Sequence, residues 1–449
     1  MDRSTSDARL GSELRKMSMG ESGVRVPEIA ERQRETAGSG VEDAVYRRRW
    51  LILGLLFSIT VINFIDRQTL SVLAPVIRSI FHLTNVEYGR IVAALQFGMM
   101  SGEFPMGYLM DRWGTRLGIS LAVAWWSSAT AAQVFAKSGT QFGLIRYWMG
   151  TGECGNFSGG VKTATRLFAP SERTLAIGIF NSGSMVGATI APPLIVYLLH
   201  RFGFRAAFLV PSALGIIWVI AWWFVYQREV VPPREVRQGQ KKISLRELLS
   251  DSSAWAVMMC RFFVGPVIQF YWYWIPSYLY SVRHMTLMQV GFVSWIPFLM
   301  GDGGNIFGGW AAGVLLRRGV PVASTRRWLM YGSSAFCFAS MLVPLARGSG
   351  LALALIGVAV CAHNFLSANM YGAITDLFPD AKVGRATGLT GVAGGLSGLL
   401  FPLLTGILVD RFSYRPVFVL IAIMPLIGTF ALFILGRKYR TTSLAYSAS

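Results

Sequence analysis

Charge is scarce in this chain. Charged residues fill 14% of its 449 positions, against about a quarter in soluble domains. Acid is scarcer than base, with 23 Asp and Glu against 42 Lys and Arg and a formal net charge of +19. Cysteine is rare too. Cys154, Cys260, Cys337 and Cys361 all lie in apolar segments without metal-ligand spacing, so they read as small buried hydrophobes. The phosphate-cradling pattern Gly-x-x-x-x-Gly-Lys-Ser/Thr is absent, as are zinc- and serine-hydrolase signatures. No ATP-driven machine, enzyme or cofactor is expected, and energy must come from an ion gradient or the solute's own gradient. The N-terminal segment lacks an apolar core, so no cleavable secretory signal is expected.

Long apolar runs are what the chain does have. It is 53% hydrophobic, with 14 Trp and 29 Phe, and aromatics of this kind collect at bilayer interfaces. Twelve runs approach the roughly 20 residues that cross a bilayer. The first six cover about 49–72, 86–110, 117–136, 140–164, 174–199 and 205–226. The second six cover about 254–281, 289–316, 326–346, 350–371, 383–409 and 415–436. An all-α membrane protein of two six-helix bundles is expected, 47–226 and 254–437. A disordered tail (1–46), a polar linker (227–253) with a capping-box pattern at Ser244 and Glu247, and a short tail (438–449) complete the division.

Basic residues gather in alternate loops, among them Arg47–Arg49, Arg112, Arg116, Lys241, Lys242, Arg317, Arg318, Arg326 and Arg327. By the positive-inside rule this places both termini in the cytoplasm, with the bilayer rather than nucleic acid as partner. An inner (plasma) membrane protein, monomeric, is expected.

A faint repeat links the halves. Leu167-Phe168-Ala169-Pro170 before the fifth span is echoed by Leu377-Phe378-Pro379-Asp380 before the eleventh. Gly183 and Gly187 offer a small face for close helix packing, as do Gly391, Gly394, Gly395 and Gly398. Gly313 stands where the first half has the acidic Asp111, so a weaker clamp is expected in the second half.

The stretch from Gly107 to Arg116 packs glycines and opposite charges between two apolar runs. It resembles the loop between helices 2 and 3 of the major facilitator superfamily, Gly-x-Leu-x-Asp-Arg-x-Gly-x-Arg. The resemblance implies two pseudo-symmetric six-helix bundles, with Asp111, Arg112, Gly114 and Arg116 as a conformational clamp.

Charges inside spans are costly and mark function or pairing. Span 1 holds Asp66 and Arg67; span 4 holds Arg146 and Glu153, two turns apart on one face. Arginine offers a planar fork for a carboxylate, and a desolvated Asp or Glu can take a proton. Both pairs also fit a structural role between helices, and that alternative stays open. Arg261, Gln269, Asp302, Asn305, His363, Asn364 and Asn369 add polarity to the second half.

Asn63 through Gln68, Arg146-x-x-x-Gly150-x-Gly152-Glu153, Lys162 and Phe180 through Ser184 resemble the anion:cation symporter branch. Arg261-Phe262-Phe263, Trp274-Ile275-Pro276 and Ala362-His363 look nearest to its hexuronate transporters. By that resemblance Arg67 and Arg146 bind the substrate carboxylate, and Asp66 and Glu153 carry coupling protons. Ser184, Gln269 and Asn364 are candidates for sugar hydroxyls. The sequence departs from the branch at Phe64, where Tyr is frequent, and in the glycines after Glu153 where a proline usually follows. The expected activity is proton-driven import of a hexuronate or related sugar acid. Another organic carboxylate, a polyspecific efflux antiporter and a non-transporting receptor are the alternatives.

Overall fold

The computed structural model describes residues 26–168, 170–226, 249–378 and 380–436. The chain divides into two units. Met1–Trp50 with Arg228–Val236 is described only through the opening of the first helix, which starts at Val26, inside the stretch expected to be an unstructured tail. Leu51–Gln227 with Arg237–Ser449 is the helical bundle. Most of the expected linker and the C-terminal tail lie outside the described residues.

The helices are α1 (Val26–Val72), α2 (Ala74–Phe81), α3 (Asn85–Ala132), α4 (Gly139–Leu167), α5 (Pro170–Phe202) and α6 (Ala206–Val225). The second half has α7 (Ser252–Ser281), α8 (Leu287–Val293), α9 (Ile296–Arg317), α10 (Val322–Cys337), α11 (Ala339–Leu342), α12 (Ser349–Leu377), α13 (Asp380–Arg411) and α14 (Arg415–Leu435). Eight described helices have a segment long and apolar enough to cross a membrane. Those of α3, α4 and α9 fall outside that set; they carry much of the polar interior discussed below.

Backbone geometry sets the helix boundaries. Spans 2 and 3 both lie within α3 and part at Gly114, whose φ of 80° and ψ of 165° are non-helical, in the loop where the sequence places the break. Only glycine adopts that conformation without strain. Span 8 is broken: α8 ends at Val293 and α9 resumes just before Pro297.

The repeat is deeper than the sequence echo. Helices α4 and α12 are both 29 residues long and end on matching extended residues, Phe168 and Phe378. Helices α3 and α8 both open with a capping box, Thr84 with Glu87 and Thr286 with Gln289. Each box satisfies two otherwise orphaned backbone donors. Left-handed His82 and His284 stand at the same distance before the two boxes. Gly89 of α3 packs on the Pro402 carbonyl of α13, and Gly291 of α8 packs on Val196 and the Pro192 carbonyl of α5. Each half thus lays a glycine of its second span against a proline turn in the other half.

Small residues also close the first half, as expected. A methyl group at Gly183 would lie 2.5 Å from the Phe57 carbonyl, and one at Gly187 2.6 Å from that of Val61. Helices α1 and α5 therefore touch backbone to backbone, where van der Waals packing is the main attraction available in lipid.

Hydrogen bonds between the halves gather at the end opposite the 111–116 turn. Asp410 of α13 accepts from the Asn85 backbone (3.0 Å), the Asn85 amide (2.6 Å) and the Val86 backbone (2.8 Å) at the start of α3. A carboxylate there suits the positive end of the helix. Tyr88 Oη donates to the Tyr273 carbonyl at 2.8 Å, and Ser71 Oγ to that of Trp272 at 2.5 Å.

Candidate functional site

Helices α1 and α4 bring the four predicted charges together. Arg67 Nε bonds Glu153 Oε2 at 2.7 Å; the Glu153 side chain is fully buried and that of Arg67 is 15% exposed. Arg146 is completely buried on the same face of α4. Its Nη1 reaches the Asp66 carbonyl at 3.4 Å and Met149 Sδ at 3.3 Å. Its Nε and Nη2 are buried without hydrogen-bond partners, as are both Asp66 carboxylate oxygens, both Asn63 amide atoms and Glu153 Oε1. Such a concentration of unsatisfied groups is expensive in a fold optimised only for stability.

Arg67 marks the boundary of this cluster with the other half. Its guanidinium lies 5.1 Å from the Phe64 ring. Phe64 meets Trp272 of α7 edge to face at 5.8 Å. A crevice too narrow to admit a water molecule runs there between the halves, lined by Phe64, Arg67, Gln68, Trp272 and Tyr273. A roomier groove of about 740 Å³, lined partly by Glu87, Arg90, Phe97 and Tyr147, shares no residue with the cluster. Volume is the poorer guide here, because charge placement rather than size selects an ionic solute.

The remaining predicted residues are dispersed. Ser184 on α5 donates to the Asn181 carbonyl of its own helix at 2.7 Å. Asn364 on α12 is buried, its amide facing Gly301 of α9. Gln269 on α7 lies beside Gly398 of α13, with its Oε1 buried and unpartnered. His363 is buried with Nδ1 unpartnered, and Asp302 keeps one such oxygen. The glycines after Glu153 serve packing: a methyl at Gly155 would meet Ala122, and one at Gly160 would meet Phe180.

The predicted clamp residues form a cluster of bonds at their own end. Lys162 of α4 bonds Asp111 at 2.6 Å and the Met110 carbonyl at 2.8 Å. Arg112 donates to Tyr108 Oη at 3.1 Å. Arg116 donates to the Trp223 carbonyl of α6 at 2.5 Å and lies over that indole at 4.2 Å. Gly114 supplies the turn between them.

Sequence reading missed the matching device in the second half. Arg326 of α10 bonds Asp376 at 2.8 Å and Asn369 at 3.0 Å, both on α12. Asn369 in turn donates to the Gly308 carbonyl of α9 at 3.3 Å. The second half therefore has its own ion pair at this end despite Gly313. Arg326 was hidden among loop charges; the signal was Asn369 and Asp376 two turns apart on one helix face.

A bundle of two matched halves, with a buried ion pair at the crevice where they meet, fits a solute transporter. The chain belongs to the Major Facilitator Superfamily, whose profile matches residues 56–362 and, in a second match, 312–447. It is a transporter and not an enzyme. It is 28% identical to the hexuronate transporter of Escherichia coli (strain K12) over 397 residues, covering 85% of this chain and 92% of that protein. The D-galactonate transporter of Escherichia coli O6:H1 is also 28% identical, over 87% of this chain and 96% of that protein. A probable galactarate/D-glucarate transporter of Bacillus subtilis (strain 168), GudP, is 26% identical over 81% and 86%.

Solved structures support the fold. A bacterial homolog of the human lysosomal transporter Spinster, inward-facing and unoccupied, aligns with TM-score 0.68 at 20% identity, covering 87% of this chain and 96% of that one. A D-xylose-proton symporter aligns with TM-score 0.66 at 15% identity, over 87% and 98%.

Proposed function

We propose that this transporter imports a sugar acid, a hexuronate or close relative, together with protons by alternating access. It would sit in the inner membrane with both termini in the cytoplasm, and its relatives named for hexuronate, galactonate and glucarate support that substrate class.

The observation that carries the reading is the 2.7 Å pair between Arg67 and buried Glu153 at the crevice where the halves meet. Two anions compete there for one guanidinium. While Glu153 is ionised it occupies Arg67, and a solute carboxylate must displace it and strand a buried charge. Once Glu153 is protonated, Arg67 is free to fork a carboxylate. Proton and anion therefore favour each other's entry, which is coupling by linkage. Arg146 and Asp66 form a second, fully buried arginine and carboxylate alongside, in reach of the same exchange when the halves move. Ser184, Gln269 and Asn364 are left to meet neutral hydroxyls.

The test is uptake by purified protein in liposomes, with galacturonate, glucuronate, galactonate and glucarate at external pH of about 5.5 and 7.5. Accumulation stimulated by acid is expected. No acid-stimulated uptake of any of the four would refute the proposal.

A further inference from the structure

Gln96 and Gln269 approach one another from opposite halves of the molecule. Gln96 is on α3 and Gln269 on α7, and Gly398 of α13 lies between them. A methyl group at Gly398 would fall 2.8 Å from Gln269 Nε2, 2.9 Å from Gln269 Oε1 and 2.9 Å from Gln96 Nε2. The two amides thus share the room that a side chain at 398 would occupy. All three residues lie roughly three to four turns from the ends of their helices at the Asp410 side. Arg67 lies about four turns below His82, so its depth is comparable.

The two side chains that meet at Gly398 are neutral, with the Arg261 guanidinium one turn away beside Gly394. Gln269 Oε1 is buried without a partner, and such an oxygen gains from any donor brought to it. An amide offers both a donor and an acceptor, which match a hydroxyl and have no charge to give a carboxylate. Arg67 offers what the amides lack.

We propose that Gln96 contacts the substrate directly and, with Gln269 across Gly398, forms a two-amide cradle that reads the hydroxyl groups of a polyhydroxy acid. This rests on the sugar-acid reading above and adds the residue that sets specificity. Because the amides belong to different halves, a hydroxyl held by both ties the halves together at mid-depth. Binding then favours the state in which the cradle is closed.

The experiment measures KM for uptake in liposomes by the unmodified protein, Gln96→Leu and Gly398→Ala. The substrates are a hexuronate and its singly deoxygenated analogues. Gln96→Leu is expected to raise KM for the parent acid about tenfold, since a hydrogen-bond partner of the substrate is lost. For one deoxy analogue the two proteins should have equal KM, because the hydroxyl that Gln96 meets is already gone. Gly398→Ala presses only on flexible amide ends, so the fold survives it and KM rises with the cradle displaced. A parent KM within about twofold in both variants would overturn the proposal. So would an equal loss across every analogue, which would place the effect in the fold. Failure of the unmodified protein to take up any of these acids would instead remove the sugar-acid reading, and the cradle with it.

Discussion

The two halves place different chemistry on the same scaffold. Aligned end to end, the 29-residue helices α4 and α12 put His363 where the first half has Glu153. Counted back from left-handed His82 and His284, Gln269 stands where the first half has Arg67. An ion pair in one half is thus matched by a neutral amide and a buried imidazole in the other. Duplicating the pair would require two more charges in a medium that penalises each one. The second half keeps charge elsewhere, at Arg261, Asp302 and the Arg326–Asp376 pair, but at the positions matching Arg67 and Glu153 it has groups that hydrogen-bond. The difference suggests a division of labour, with carboxylate and proton on one side and hydroxyls on the other.

The strongest way to break this comparison is to make the first half resemble the second. Arg67→Gln copies Gln269 and strands Glu153, and breaking a buried pair from one side costs about 3–5 kcal/mol. Uptake should fall to background, with a marked drop in melting temperature. Adding Glu153→Gln should restore the melting temperature, because neither group is then an unpaired charge, while uptake stays lost. Both are read by a thermal melt alongside liposome uptake. Recovery of uptake in the double variant would show that the pair is only structural.

A sharper cut is Glu153→Gln alone. Acid-driven accumulation should fall at least about tenfold, as expected when a proton-transferring group is removed. Exchange of labelled for unlabelled substrate should persist and become indifferent to pH.

The clamps offer a third comparison. Arg326 is only 9% exposed overall and holds two partners on α12. Asp111 has a side chain 75% exposed. Arg326→Ala should cost about 1–3 kcal/mol in stability through the polar groups it leaves. Asp111→Asn should cost less than about 1 kcal/mol, and should slow turnover with KM nearly kept. The two are separated by denaturation midpoints and by kcat. The smallest effect on stability is expected at the opposite end. Asp410→Ala removes three exposed bonds to α3, and should lengthen the distance between spin labels placed at the start of α3 and the end of α13.

Charge made the first half legible in the sequence. Asp66, Arg67, Arg146 and Glu153 stand out because an ionised residue inside an apolar run demands a reason. The charged turn at 111–116 and the apolar spans were legible for similar reasons of contrast. What escaped notice depends on how the halves meet. Gln96 and Tyr88 are uncharged, and nothing in their own helix says that Gln269 or the Tyr273 carbonyl will face them. Asp410 reads as a loop acid until α13 is laid against α3. The turn between spans 2 and 3 rests on a single backbone conformation at Gly114, and the break in span 8 on the residues before Pro297. Local pattern specifies the elements, whereas contacts between distant elements follow from their final rotation.

The most direct test of the assignment of proton coupling to Glu153 is hexuronate accumulation in liposomes under an imposed inward proton gradient. Wild type and Glu153→Gln are compared, with exchange measured on the same vesicles. Accumulation in wild type, and exchange without accumulation in the variant, is the expected result. Equal gradient-driven accumulation in the two would contradict it and return the Arg67–Glu153 pair to a purely structural role.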